Sequence, residues 1–183
     1  MVRRAVFLDR DGVINRNMQR DGRPVAPTRL EDFQLLPGVE DATRALQQAG
    51  FFLVVVTNQP DIAAGRTPFA TVDAMNSELK RRLNIEDVRM CPHVNEDNCE
   101  CRKPKPGMLL AAAAERGIDL KSSYMIGDRA VDIGAGNAAG CLTILIDYGN
   151  ADFTVGIQPD VIVQSLPEAA EYILRREGLE GQT

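Results

Sequence analysis

The chain opens with a short, wholly apolar run. Val6-Phe7-Leu8 shows no polar alternation, the pattern of a strand buried on both faces of a parallel sheet, and residues 4–9 are predicted as the first strand. Similar runs recur at Phe51–Val56, Val88–Met90, Ser123–Gly127, Leu142–Ile146 and Val161–Val163. Between them the apolar period lengthens to that of a helix. Residues 38–49 place Val39, Ala42, Leu46 and Ala49 on one face and stop at Gly50. Residues 69–83 align Phe69, Val72, Met75, Leu79 and Leu83. Further helices are predicted over 106–117, begun by Pro106 and stopped by Gly117, over 130–139 and over 166–176. Residues 10–37 read as polar and irregular, with Gly22, Pro24, Pro27 and Pro37 as breakers. The last residues, 178–183, are expected to be loose. Strands alternating with helices predict an α/β fold, a doubly wound parallel sheet of Rossmann-like type.

Composition narrows the partners. The 183 residues suit one domain, 1–183, with a substantial core. Net charge is −5 with no basic block, which argues against a nucleic-acid groove and an anionic membrane surface. No apolar stretch approaches a membrane span, and the run after Met1-Val2-Arg3-Arg4 is too short for a signal peptide. The expected protein is cytoplasmic and, with no exposed heptad, a monomer by default.

The chemistry lies where strands end, which is where open α/β sheets bind ligands. The first strand runs into Asp9-Arg10-Asp11-Gly12. Two close carboxylates repel unless a cation lies between them or one takes a proton, and magnesium prefers oxygen ligands. The second strand runs into Thr57-Asn58-Gln59, whose threonine can donate a hydroxyl hydrogen bond to a phosphate oxygen. Arg102-Lys103-Pro104-Lys105-Pro106-Gly107-Met108 precedes a helix, so its cations and the helix N–H groups make an anion site. Gly127-Asp128-Arg129 ends the fourth strand, with Asp132 on the next helical turn. Asp128 and Asp132 can both face a metal, or can serve as ordinary helix caps.

Residues 91–101 carry three of the four cysteines and the only histidine: Cys91-Pro92-His93 and Cys99-Glu100-Cys101. Three thiolates and an imidazole can close a tetrahedral zinc site with no open position, hence a structural one. Free cytosolic thiols beside a surface histidine are the alternative. Cys141, at the start of an apolar strand, reads as core.

Taken in order, Asp-x-Asp-Gly, apolar-Thr-Asn, Lys-Pro-x-Pro and Gly-Asp-x-x-x-Asp strongly resemble the haloacid dehalogenase-like phosphatase superfamily over residues 5 to about 147. The zinc loop set directly before Arg-Lys-Pro resembles the branch of the D-glycero-D-manno-heptose 1,7-bisphosphate phosphatases and their relatives, the histidinol-phosphate phosphatases. The resemblance implies that Asp9 is the nucleophile, forming an aspartyl-phosphate, and Asp11 the general acid and then base. It implies that Thr57 and Lys103 hold phosphoryl oxygens. Magnesium would be held by Asp9, the backbone carbonyl of Asp11 and Asp128, with Asp132 behind them. Asn58, Gln59, Arg102 and Arg129 are expected on the substrate side, with a small phosphorylated metabolite as ligand. The zinc loop would staple the segment presenting Arg102 and Lys103. The branch has no large cap domain, and no segment between the early strands is long enough for one. One departure stands out. The heptose enzymes read Thr-Asn-Gln-Ser-Gly-Ile-Ala-Arg-Gly where this chain has Thr57-Asn58-Gln59-Pro60-Asp61-Ile62-Ala63-Ala64-Gly65-Arg66. It falls on the loop expected to cover the substrate.

Overall fold

A computed structural model describes residues 3–149 and 157–179. The expectation of a loose tail therefore lies mostly outside the described residues. In chain order the elements are β1 (Ala5–Leu8), β2 (Met18–Arg20), β3 (Arg23–Val25), α1 (Val39–Gln48), β4 (Phe52–Asn58), α2 (Pro60–Ala63), α3 (Phe69–Leu83), β5 (Asp87–Cys91), α4 (Gly107–Arg116), β6 (Tyr124–Gly127), α5 (Ala130–Ala139), β7 (Leu142–Ile146), β8 (Val161–Val163) and α6 (Leu166–Arg176).

Six strands form one parallel sheet in the order β5-β4-β1-β6-β7-β8. All four residues of β1 are buried, as a central strand requires. Its alternate side chains feed two layers. Val6 and Leu8 join Leu53, Val55, Ile126 and Ile144 beneath α1, α3 and α6. Ala5 and Phe7 join Val54, Val56 and Met125 beneath α4, through Met108 and Leu109, and beneath α5, through Ala135. Cys141 lies in that second layer. Burying a strand on both faces removes every reason for polar alternation, which is why the runs are continuous.

The predicted irregular stretch 10–37 needs correction. It contains the antiparallel hairpin of β2 and β3. Its strands have three residues each and are largely exposed, so they carry no apolar pattern. The signal was Asp21-Gly22, both at positive φ (52° and 72°), the residue pair that suits a two-residue hairpin turn. No helix among the described residues is long and apolar enough to cross a membrane.

The strand order reverses between β1 and β6, so connections leave these two strands on opposite sides. That divergence opens a crevice at their carboxyl ends. Asp9 and Asp11 follow β1; Asp128 and Asp132 follow β6.

Candidate active site

The crevice is a cavity of about 990 Å³ whose wall includes Asp9, Asp11, Asn58, Gln59, Lys103, Asp128, Arg129 and Asp132. Lys103 is its electrostatic centre. The ammonium is buried, 2.8 Å from Asp9 Oδ1 and 2.6 Å from Asp132 Oδ1, and it donates to the Val56 carbonyl at 2.7 Å. Burial opposes its charge, yet Asp132 and Asp9 hold it above the ordinary lysine range. Asn58 fixes the Lys103 backbone by a reciprocal pair, Nδ2 to the Lys103 carbonyl and Oδ1 from its N–H, each 3.1 Å.

Asp9, Asp128 and Asp132 bring carboxylate oxygens within 4.8 Å of one another. Three carboxylates face one ammonium. Burial first, then Asp132, pushes Asp9 up to about 6, against the pull of Lys103. Burial, then Asp9 and Asp132, pushes Asp128 up to about 8. The Asp132 carboxylate is committed, with Oδ1 beside Lys103 and Oδ2 accepting from the Arg129 N–H at 3.0 Å, where it caps α5. Asp128 is different. Its Oδ2 receives Asn17 Nδ2 at 3.3 Å, while its buried Oδ1 accepts no hydrogen bond and has only the Arg129 Nε, 4.0 Å away, as an ion-pair partner among the described residues. A buried carboxylate oxygen without a hydrogen bond, beside excess negative charge, fits a divalent cation with oxygen ligands, and magnesium suits it.

Gly12 makes the close approach possible. Its φ is +90°, and a Cβ there would lie 2.1 Å from Asp128 Oδ2. Gly12→Ala is expected to displace Asp128 and to lower magnesium-dependent kcat/KM about 100-fold, the scale of an ångström-sized misplacement. Steady-state kinetics against magnesium concentration checks this.

Asp11 is bracketed by donors. Oδ1 accepts from Arg10 Nε at 3.3 Å, Arg10 Nη2 at 3.2 Å and Asn15 Nδ2 at 2.9 Å. Oδ2 accepts from Arg10 Nη2 at 3.1 Å and Gln59 Nε2 at 2.6 Å. Gln59 also donates to Thr57 Oγ1 at 2.9 Å. Thr57 is fully buried and does not line the cavity. The amides of Asn58 and Gln59, expected on the substrate side, are thus turned onto Lys103, Asp11 and Thr57. Asn58 and Gln59 also line the cavity, together with Arg129 and Arg102. Arg129 Nη2 donates to the Pro24 carbonyl of β3 at 3.1 Å. Arg10, Asn15, Asn17, Asn76 and Tyr148 carried no role in the sequence reading. Tyr148 lines the cavity and donates to the Gly12 carbonyl at 2.8 Å.

Beside this site the four zinc-type side chains converge. Cys91 Sγ lies 3.5 Å from His93 Nδ1 and 3.6 Å from Cys99 Sγ. Cys101 Sγ lies 3.3 Å from His93 Nδ1 and 3.4 Å from Cys99 Sγ. A tetrahedron with Zn–S bonds of about 2.3 Å has edges of about 3.8 Å, so the cluster fits zinc. Arg102 hangs on the loop that the cluster folds, with Nε to Asn95 Oδ1 at 2.7 Å and Nη1 to the His93 carbonyl at 3.1 Å. Cys99→Ser is expected to lose the zinc and to raise KM about tenfold, more than it lowers kcat, because Arg102 loses its seat while Asp9 does not. Metal analysis with steady-state kinetics tests this.

Similar proteins are known in sequence and in structure. The HAD-hydrolase-like family model matches residues 100–169. A Vibrio cholerae protein named D-glycero-beta-D-manno-heptose-1,7-bisphosphate 7-phosphatase is 38% identical, covering 96% of this chain and 98% of its own. This chain belongs to the haloacid dehalogenase-like phosphatases, in the heptose bisphosphate phosphatase branch. A Thermosynechococcus vestitus relative named D-glycero-D-manno-heptose-1,7-bisphosphate 7-phosphatase is 36% identical, with 94% of this chain and 96% of its own covered. Among solved structures, the D,D-heptose 1,7-bisphosphate phosphatase of B. bronchiseptica, complexed with magnesium and phosphate, superposes with a TM-score of 0.82 at 32% identity. It covers 94% of this chain and 99% of that one. As a phosphatase of this family the chain uses magnesium, and its Cys/His cluster fits a structural zinc.

Proposed function

We infer that this phosphatase removes the 7-phosphate of D-glycero-D-manno-heptose 1,7-bisphosphate, leaving the sugar 1-phosphate. The observation that carries the reading is the Asp9–Lys103–Asp132 ion pairing beside Asp128, at the foot of a cavity also lined by Arg16, Arg102 and Arg129. Carboxylates at the base suit a metal and phosphoryl transfer; arginines suit a doubly phosphorylated, anionic substrate. The names of the relatives favour the heptose substrate over histidinol phosphate.

An Asp9 oxygen, oriented by Lys103, attacks phosphorus. The bond from phosphorus to the sugar oxygen breaks as the bond to Asp9 forms, and Asp11 gives its proton to the departing oxygen. Asp11 then takes a proton from the water that attacks the aspartyl-phosphate, releasing phosphate and restoring Asp9. Asp9, Asp128 and the Asp11 carbonyl would hold magnesium, which supplies positive charge against the repulsion between carboxylate and phosphate. Lys103 shares that task. Asp132 keeps Lys103 in place. The chain is proposed to act as a cytoplasmic monomer on this small metabolite, without nucleic acid or membrane.

The test is phosphate release with magnesium from both anomers of heptose 1,7-bisphosphate, histidinol phosphate and common sugar phosphates. Expected is a kcat/KM at least about 100-fold higher for one heptose anomer, with phosphorus NMR showing loss of the 7-phosphate. A preference for histidinol phosphate would overturn the substrate assignment.

A further inference from the structure

Arg10 is fully buried, yet it touches no substrate surface. An arginine stays charged throughout the accessible pH range, and burying it is costly unless its donors are matched. Here they are matched in one direction. Nε and Nη2 fork onto both oxygens of Asp11, and Nη1 donates to Asn76 Oδ1 at 3.0 Å. Asn76 is itself buried, on α3, whose apolar face is built into the core through Met75 and Leu79. Helix α3 therefore reaches Asp11 through a relay, Asn76 to Arg10, beside the direct contact of the buried Asn15.

A carboxylate has about four lone-pair positions, and Asp11 receives five donor contacts. They come from four nitrogens, Arg10 Nε and Nη2, Asn15 Nδ2 and Gln59 Nε2, which ring the carboxylate. Gln59 lies on the cavity wall, in the turn between β4 and α2, whereas Arg10 is locked behind Asp11 and tied to Asn76. Gln59 is the donor that faces the cavity, while Arg10 and the buried Asn15 sit behind Asp11.

We propose that Arg10, anchored by Asn76, is a positioning residue that aims the Asp11 carboxyl at the leaving oxygen of the substrate. This rests on Asp11 being the group that protonates that oxygen. Arg10 contributes no proton and no substrate contact. It fixes the orientation of the carboxyl, whose Gln59 side faces the cavity.

The consequence depends on the leaving group. A sugar alkoxide needs a proton as its bond to phosphorus breaks; 4-nitrophenolate does not. General acid catalysis is worth about 100- to 10,000-fold. For a two-step enzyme, kcat/KM reports only the steps through departure of the first product, so it isolates this proton transfer from the later hydrolysis. The experiment compares kcat/KM for heptose 1,7-bisphosphate and 4-nitrophenyl phosphate in the magnesium-loaded, zinc-loaded protein. The variants are Arg10→Met, Asn76→Ala and Asp11→Asn, with thermal midpoints alongside.

Arg10→Met is expected to lower kcat/KM for the sugar phosphate about 100-fold, and Asn76→Ala about tenfold. Both should stay within about threefold of the parent with 4-nitrophenyl phosphate. If Arg10→Met fails to fold, Asn76→Ala carries the test, because alanine suits a helix and removes only the anchor. Equal losses on both substrates, or no loss on either, would overturn the proposal and leave Arg10 a structural residue. Asp11→Asn separates the two layers of inference. A loss selective for the sugar phosphate in Asp11→Asn, but not in the Arg10 and Asn76 variants, would refute the relay alone. An unselective loss in Asp11→Asn would refute the role of Asp11 and the relay with it.

Discussion

Asp9→Asn is expected to reduce phosphate release by at least about 10,000-fold while the fold survives. The substitution is nearly isosteric, so neither packing layer is disturbed. It removes the attacking oxygen's charge, and an amide is a poor nucleophile; losses of this order follow when a nucleophile is deleted from a covalent mechanism. Asp9 also takes part in an ion pair with Lys103. The asparagine still offers an oxygen to that ammonium, and Asp132 still balances its charge. The thermal midpoint should therefore move little. A variant that retained a tenth of the parent activity would mean that Asp9 does not form the bond to phosphorus.

Lys103→Met should injure both stability and catalysis. The methionine fills much of the lysine stem, so the loss is mainly one of charge. Asp9, Asp128 and Asp132 then face one another with no ammonium between them. Breaking a buried ion pair by removing one partner costs about 3–5 kcal/mol. For a chain of this size that corresponds to a fall in midpoint on the order of 10 °C, measured in metal-free protein. Activity should fall at least about 1,000-fold, because the ammonium both orients Asp9 and offsets the approach of an anionic phosphate. Adding Asp132→Asn to Lys103→Met should restore part of the stability, since it removes one stranded charge, without restoring activity. Additive losses in the double variant would show that Asp132 and Lys103 are not energetically coupled.

Much of this fold was legible because its central strands are buried on both faces. Continuous apolar runs such as Phe52–Val56 have no other economical reading, and the predicted strand and helix limits fall close to the observed ones. The site was legible for a related reason. Charged residues directly after such runs, Asp9 and Asp128 above all, sit at the sheet edge where ligands bind. Asp132, marked by its place one helical turn after Asp128, both caps α5 and holds Lys103, so the capping and site readings are not exclusive. The hairpin at 18–25 was hidden because its exposed strands have no core to encode; only Asp21-Gly22 hinted at it. The hydrogen bonds of Asn58 and Gln59, which line the cavity, were not legible because an amide can face substrate or its own chain. Only the packed structure shows these two bracing Lys103, Asp11 and Thr57. Arg10 and Asn76 are 66 residues apart, so no local pattern relates them. Tyr148 belongs with them. It reaches the Gly12 carbonyl from 136 positions away, although its place just beyond β7 was a usable signal.

The departure at Pro60-Asp61 has a structural expression. Asp61 lines the cavity and pairs with Arg66, Nη2 to Oδ1 at 2.5 Å, and lies 3.7 Å from Arg20 of the hairpin. The loop after β4 is thereby tied to β2 across the rim, where the heptose-type pattern places serine and glycine.

The most direct measurement is rapid-quench trapping of the enzyme during its first turnover with substrate labelled in the transferred phosphate. Protein-bound label should appear within one turnover, at up to one equivalent. It should be released by hydroxylamine, as an acyl phosphate is, map to Asp9, and be absent from Asp9→Asn. Stoichiometric release of free phosphate with no protein-bound label at any time would contradict a covalent route through Asp9.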